Sequence, residues 1–309
     1  MVTSQTIPIL DTHQHLVYAE RWPYSWTASI PALAGKSFTV DDYRQDIAGA
    51  GIAATLFMET TPDDSLWIEE TRHVARLSAE PESLISGLIA NCRPENDNFE
   101  AYLDSLDGLP IVGLRRILHV EPDEVSQQPR FVKNVGLLAA RGWTFDICMF
   151  QRQLPLAAAL AGKCPDVQFV LDHCGVPDIA AGNFDDWRQK IRQVAEMPNV
   201  ACKISGILAY CKPGDATTAT VRPYVEYCLE VFGWDRVVWG SDWPVCRIHV
   251  PLSRWVEITR GIIAGESEEN QRKLLYANAI RLYRVSRLRG CPETPLSLLG
   301  EGQGVRAVD

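Results

Sequence analysis

Short apolar runs recur along the chain, separated by polar segments of helical period. Eight runs read as strands: 7–15 (IPILDTHQH), 52–60 (IAATLFMET), 84–91 (LISGLIAN), 111–118 (IVGLRRIL), 143–150 (WTFDICMF), 167–174 (VQFVLDHC), 199–206 (NVACKISG) and 236–243 (RVVWGSDW). Each interval has room for a strand, a loop and a helix. Eight strands alternating with helices imply parallel pairing through right-handed crossovers, and eight such units close into a barrel. Between the strands, Phe184, Trp187, Ile191 and Val194 recur at helical spacing, as do Phe131, Val135 and Leu138. Such stripes predict helix faces packed on the sheet. Thr39 ahead of Asp42, and the run Asp63-Asp64-Ser65, read as helix starts. The α/β pattern therefore predicts one TIM-like (β/α)8 barrel over residues 1–285.

Two stretches fall outside this rhythm. Residues 16–38 make a long first strand–helix connection carrying Trp22, Tyr24 and Trp26. Residues 286–309, rich in Gly, Pro and charge, read as a C-terminal tail. Gly300, Gly302 and Gly304 follow no predicted strand, so they do not suggest a phosphate loop. The 309 residues are 46% hydrophobic and 22% charged, enough for a core that needs no disulfides. A net charge of −9 without a basic run argues against nucleic acid and anionic membrane surfaces as partners. Nine cysteines without C-x-x-C spacing read as reduced, mostly buried thiols. Residues 1–8 lack the basic flank and apolar stretch of a signal peptide, and no window approaches a membrane span. A cytoplasmic protein is expected, acting on a small molecule, with a homo-oligomer left open.

The chemistry gathers at strand ends. His13 and His15 are two apart at the end of the first strand and so share one face. His173 ends the sixth strand and Asp242 the eighth, where (β/α)8 enzymes keep their reacting groups. A lone histidine in such a place is usually a satisfied structural residue. Burying several imidazoles without partners would be costly, so the set points to a functional centre. Asp172 has the opposite parity to His173 and reads as a supporting or structural group. His73 is expected to be solvated on a helix surface. In GLRR, alternation turns only one arginine inward. Arg115, in phase with His119, is the candidate for gripping a substrate carboxylate or hydroxyl, the alternative being an exposed arginine. Lys203 in CKISG either faces the lumen or pairs with Asp146 on strand five. No G-x-S-x-G elbow, Walker loop or dinucleotide fingerprint is present, which removes those enzyme classes.

With H-x-H on strand one, His on strand six and Asp on strand eight, the chain resembles the amidohydrolase superfamily. More closely it is similar to its sugar-lactonase branch, through LDTHQH, WPYSW, GLRR, FDICMFQRQL, VLDHCGVPD, CKISG, WGSDWPVC and YANAIRLY. The resemblance implies hydrolysis of a small polar sugar-acid or dicarboxylate lactone. Asp242 would be the general base, and His13, His15 and His173 would polarise the carbonyl. Substrate contacts are expected from Arg115, His119, Lys203, Trp22 and Trp26, although the aromatic residues could equally be plain packing. Strands four and five offer no lysine to bridge two metals. The expectation is therefore turnover without a cofactor, or with one divalent ion, Zn²⁺ being the best match for His13, His15, His173 and Asp242. A lactone isomerase or a metal-dependent decarboxylase could use the same scaffold. A small-molecule-binding barrel without catalysis is the rival of another class.

Overall fold

A computed structural model describes residues 6–63 and 66–285. Asp64 and Ser65 of the expected helix start, and the 286–309 tail with Gly300, Gly302 and Gly304, lie outside the described residues. The eight strands are β1 (Ile9–Gln14), β2 (Ile52–Met58), β3 (Ile85–Asn91), β4 (Ile111–Ile117), β5 (Thr144–Cys148), β6 (Phe169–Leu171), β7 (Val200–Ile204) and β8 (Val237–Trp239). They pair in parallel in the order β1 to β8. Beyond β8 the chain returns to β1: the His15 amide donates to the Trp243 carbonyl at 2.8 Å, and the Asp242 amide to the His13 carbonyl at 2.9 Å. These bonds bring the sheet to a nearly closed (β/α)8 barrel.

The crossovers carry helices α1 (Val40–Asp46), α2 (Trp67–Ala79), α3 (Phe99–Asp104), α4 (Pro129–Gly136), α5 (Leu138–Arg141), α6 (Leu154–Lys163), α7 (Phe184–Ala195), α8 (Thr218–Phe232) and α9 (Leu252–Ile262). Thr39 caps α1 in a capping box with Asp42, satisfying amides the first turn leaves free. The predicted stripe on α7 buries Trp187, Ile191 and Val194. That on Phe131, Val135 and Leu138 is buried too, although α4 and α5 divide at Leu137.

The lumen is layered. At its base, Leu10, Leu56, Ile89, Val170, Ala201 and Val238 pack against Tyr276, Leu282 and Tyr283 from the closing helical segment. Above that apolar plug lies a charged layer, and above it the open strand ends. The observed β6 and β8 are shorter than expected. Their chains leave extended geometry as they approach the site, through left-handed turns at His173 and Asp242 (φ 54° and 58°).

Candidate active site

Asp11 ties the end of β1 to the loop after β8. Its carboxylate accepts from the His13 amide (3.0 Å), the Ser241 amide (2.8 Å) and the Tyr43 hydroxyl (2.7 Å). The amides on either side of the site, at His13 and Ser241, are thus fixed by one buried group. A register shift between Asp11 and Gln14 breaks strand alternation, so Leu10 and His13 both reach the lumen. Gly240 makes room for this, because a Cβ there would stand 2.7 Å from that of His13.

His13, His15, His173 and Asp242 come together above the charged layer. The Nε2 atoms of His13 and His15 are 3.1 Å apart. Oδ1 of Asp242 lies 3.6 Å from the first and 3.5 Å from the second. The His173 ring centroid is 4.6 Å from that of His13, and its Nδ1 is 3.0 Å from the Ser205 hydroxyl. His173 is inward for a reason that parity does not capture. The left-handed turn after β6 re-aims it, while the Trp187 indole of α7 donates to the Cys174 carbonyl at 2.9 Å and holds the turn. A side chain at Gly206 (φ 62°) would meet the His173 ring at 2.1 Å, so only glycine fits there.

Burial drives the His13 and His173 imidazoles below their ordinary pKa despite neighbouring carboxylates, so both rings are neutral near pH 7. The His15 Nδ1 lies 3.0 Å from the carbonyls of both Met58 and Glu59, which only accept. In the neutral tautomer these contacts select, the proton sits on Nδ1 and Nε2 is a lone pair. His13 meets opposed demands: Asp172 (3.5 Å) favours a proton on its Nδ1, whereas the His15 lone pair favours one on Nε2. With the proton on Nδ1, two imidazole lone pairs and the Asp242 carboxylate converge, a donor set that fits one divalent ion with bonds of about 2.0–2.2 Å. His13, Asp172 and His173 form a second, overlapping group of potential ligands.

Asp172, expected in a supporting place, follows the inward parity of β6 and enters the charged layer. It pairs with Lys203 at 3.0 Å and approaches Arg115 at 3.6 Å. Lys203 is fully buried and also holds Asp146 at 2.6 Å, so it lies under the cavity as a paired cation. Arg115 points inward but is largely committed. Its Nε donates to Glu59 Oε1 (2.7 Å) and its Nη2 to the Glu59 carbonyl (2.8 Å), leaving Nη1 at 3.3 Å from His13 Nε2. Burial raises the Glu59 pKa, but the Arg115 charge and hydrogen bonds from Thr61 and Asn91 outweigh it, keeping Glu59 ionised. Glu59 at the end of β2 was legible as a strand-end carboxylate, yet the sequence reading passed over it.

The site opens into a cavity of about 1060 Å³ whose walls include His15, Trp26, Arg115, His119, His173 and Asp242. Trp26 donates its indole N–H to the Thr60 carbonyl at 2.8 Å. His119 stacks on Phe150, and burial lowers its pKa to about 4. Trp22 is not among the cavity walls; it packs with Tyr18 against His73. His73 is consequently buried rather than solvated, because the first connection folds over that face of α2. The eight cysteines among the described residues are free and buried. No helix among the described residues is long and apolar enough to cross a membrane.

The family model described as Amidohydrolase matches residues 10–285. The chain is 26% identical over 289 residues to an L-fucono-1,5-lactonase of Burkholderia ambifaria, covering 91% of this chain and 97% of that protein. It is 23% identical over 199 residues to an L-rhamnono-gamma-lactonase of Scheffersomyces stipitis, covering 57% and 59% respectively. Its fold matches, with a TM-score of 0.82, a crystal structure of a Burkholderia multivorans amidohydrolase with bound zinc. That match has 22% identity and covers 90% of this chain and 99% of the other.

Proposed function

This chain belongs to the amidohydrolase family, and on that premise we propose that it opens a small polar lactone by water attack. One observation carries the reading: a carboxylate and two neutral-capable imidazoles converge within 3.6 Å at the mouth of a substrate-sized cavity. The names of the lactonase relatives supply the reaction class.

Asp242 acts as general base. It takes a proton from the attacking water, which becomes bonded to the ring carbonyl carbon. The carbonyl oxygen gains charge as the tetrahedral intermediate forms, and Arg115 Nη1 is the donor available to it. Collapse breaks the ring C–O bond, and the proton held by Asp242 passes to the departing oxygen. The product is an open-chain hydroxy acid.

His13, His15 and Asp242 would hold the ion in a metal-loaded enzyme. A bound divalent ion supplies Lewis-acid polarisation and a more acidic water. His173, tied to Ser205, closes the side of the pocket nearest β6 and β7.

The test is a panel of aldono- and dicarboxylate lactones in a pH-indicator assay, with products identified by mass. Ring opening adds one water, whereas isomerisation conserves mass and decarboxylation releases carbon dioxide. Tight binding without turnover across the panel would favour a non-catalytic binding barrel and overturn the proposal.

A further inference from the structure

Among the described residues three arginines line the cavity, and their charges are not equally available. Arg115 is held by Glu59 and approached by Asp172. Arg116 is held by Glu95 at 2.7 Å and Glu121 at 3.0 Å. Arg93, two residues beyond β3, has no carboxylate partner among the described residues. Its Nη1 donates to the Asn91 side-chain oxygen and, at 3.0 Å, to the Cys92 carbonyl. Its guanidinium carbon lies 5.8 Å from the Trp67 ring centroid. All these contacts are to neutral groups, and they leave Nε and Nη2 uncommitted.

The side chain is nevertheless held in place. Asn91 Nδ2 donates to Glu59 at 2.7 Å, so the residue that grips Arg115 also fixes the platform under Arg93. A half-buried guanidinium anchored through one nitrogen keeps the rest of its planar fork free to pair, and Arg93 is one of the cavity walls. Such a fork matches a carboxylate in two-point geometry. His119, also on the cavity wall, is neutral at pH 7 and cannot supply that charge.

Position around the barrel matters as well. Arg93 follows β3 and Asp242 follows β8, with β1 and β2 between them. An anion bound at Arg93 therefore stands away from Asp242, and the reacting carbonyl can turn towards the base. We propose that Arg93 is the specificity-determining receptor for a free carboxylate on the substrate, so that the preferred lactone is an acidic one. This inference rests on the lactonase reading and narrows its substrate class.

The test uses two lactones of the same ring, one ending in a hydroxymethyl group and one in a carboxylate. The wild-type enzyme should prefer the carboxylate form. Arg93→Met should raise KM for that form roughly 10- to 100-fold, the scale of a charge-assisted hydrogen bond, with little change in kcat. Activity on the neutral lactone should hold, which also reports an intact fold, and Arg93→Lys should recover part of the loss. An equal effect on both lactones, or none, would overturn the inference and leave the lactonase reading standing, as would a wild-type preference for the neutral form. Opening of neither lactone would overturn both.

Discussion

Asp242→Asn is the substitution that most directly separates chemistry from scaffold. The backbone at this residue has φ 58°, a left-handed conformation that Asn tolerates better than most side chains. Its two backbone bonds, from its own amide to the His13 carbonyl and from the Cys246 amide to its carbonyl, are both 2.9 Å and do not depend on the carboxylate. Its nearest ionisable neighbours are imidazoles at 3.5 and 3.6 Å rather than a buried permanent cation, so no permanent ion pair is orphaned. The fold should therefore survive, with circular dichroism and the melting temperature close to wild type. What is lost is a proton acceptor needed only as water attacks. Removing a general base costs about 10²–10⁴-fold in kcat, equivalent to roughly 3–5 kcal/mol of barrier at 1.36 kcal/mol per factor of ten. KM should change little, because the amide fills the same space and the base contributes in the transition state. Initial rates on the best lactone, followed by indicator, provide both constants. Near-native kcat would refute the assignment and pass the role to an imidazole, first to His173.

Elemental analysis of active protein should find at most one catalytic divalent ion per chain, and chelation should leave substantial lactonase activity; two required equivalents would contradict this. Glu59→Ala should lower stability by roughly 3–5 kcal/mol in denaturant unfolding, since it leaves Arg115 buried without its principal partner, and an unchanged midpoint would refute the pairing argument. His119 is held neutral by burial, with its pKa lowered from 6.5 to about 4, so between those values the unfolded chain binds more protons. Its contribution to stability is full above pH 6.5 and is lost as pH falls towards 4. The melting temperature of the wild type should accordingly drop more between pH 7 and 5 than that of His119→Gln, and equal drops would refute it.

Much of this architecture was legible because barrel strands are apolar runs with fixed spacing, and period alone locates them. Tertiary detours were not. Parity along VLDHCG assigned the inward place to His173 and a supporting place to Asp172, yet both enter the site, one by alternation and one by a left-handed turn. In LDTHQH the register shift is likewise invisible in the string. Pairing was harder still. Arg115 reads as an inward cation from alternation, but Glu59, which holds it, lies on another strand, at a sequence separation of 56 residues. Arg93 sits beyond a strand end, where alternation says nothing of its direction. His73 looked exposed because its helix was read alone, without the loop that Tyr18 and Trp22 fold across it.

The charge of the lumen bears on the number of ions the site can hold. Glu59, Asp146, Asp172 and Asp242 face two permanent cations, Arg115 and Lys203, with the imidazoles of His13 and His173 neutral. Four carboxylates against two cations leave a negative surplus in a low-dielectric cavity, which attracts a cation. One divalent ion offsets it, whereas two would leave a net positive site with no bridging lysine carboxylate to balance them. A metal-free form is expected to stay folded, since Arg115 reaches His13 and Lys203 reaches Asp172 without help from an ion. In that form the base at Asp242 stays unclamped and free to hold water, which is why removal of the metal is expected to reduce lactone opening rather than abolish it.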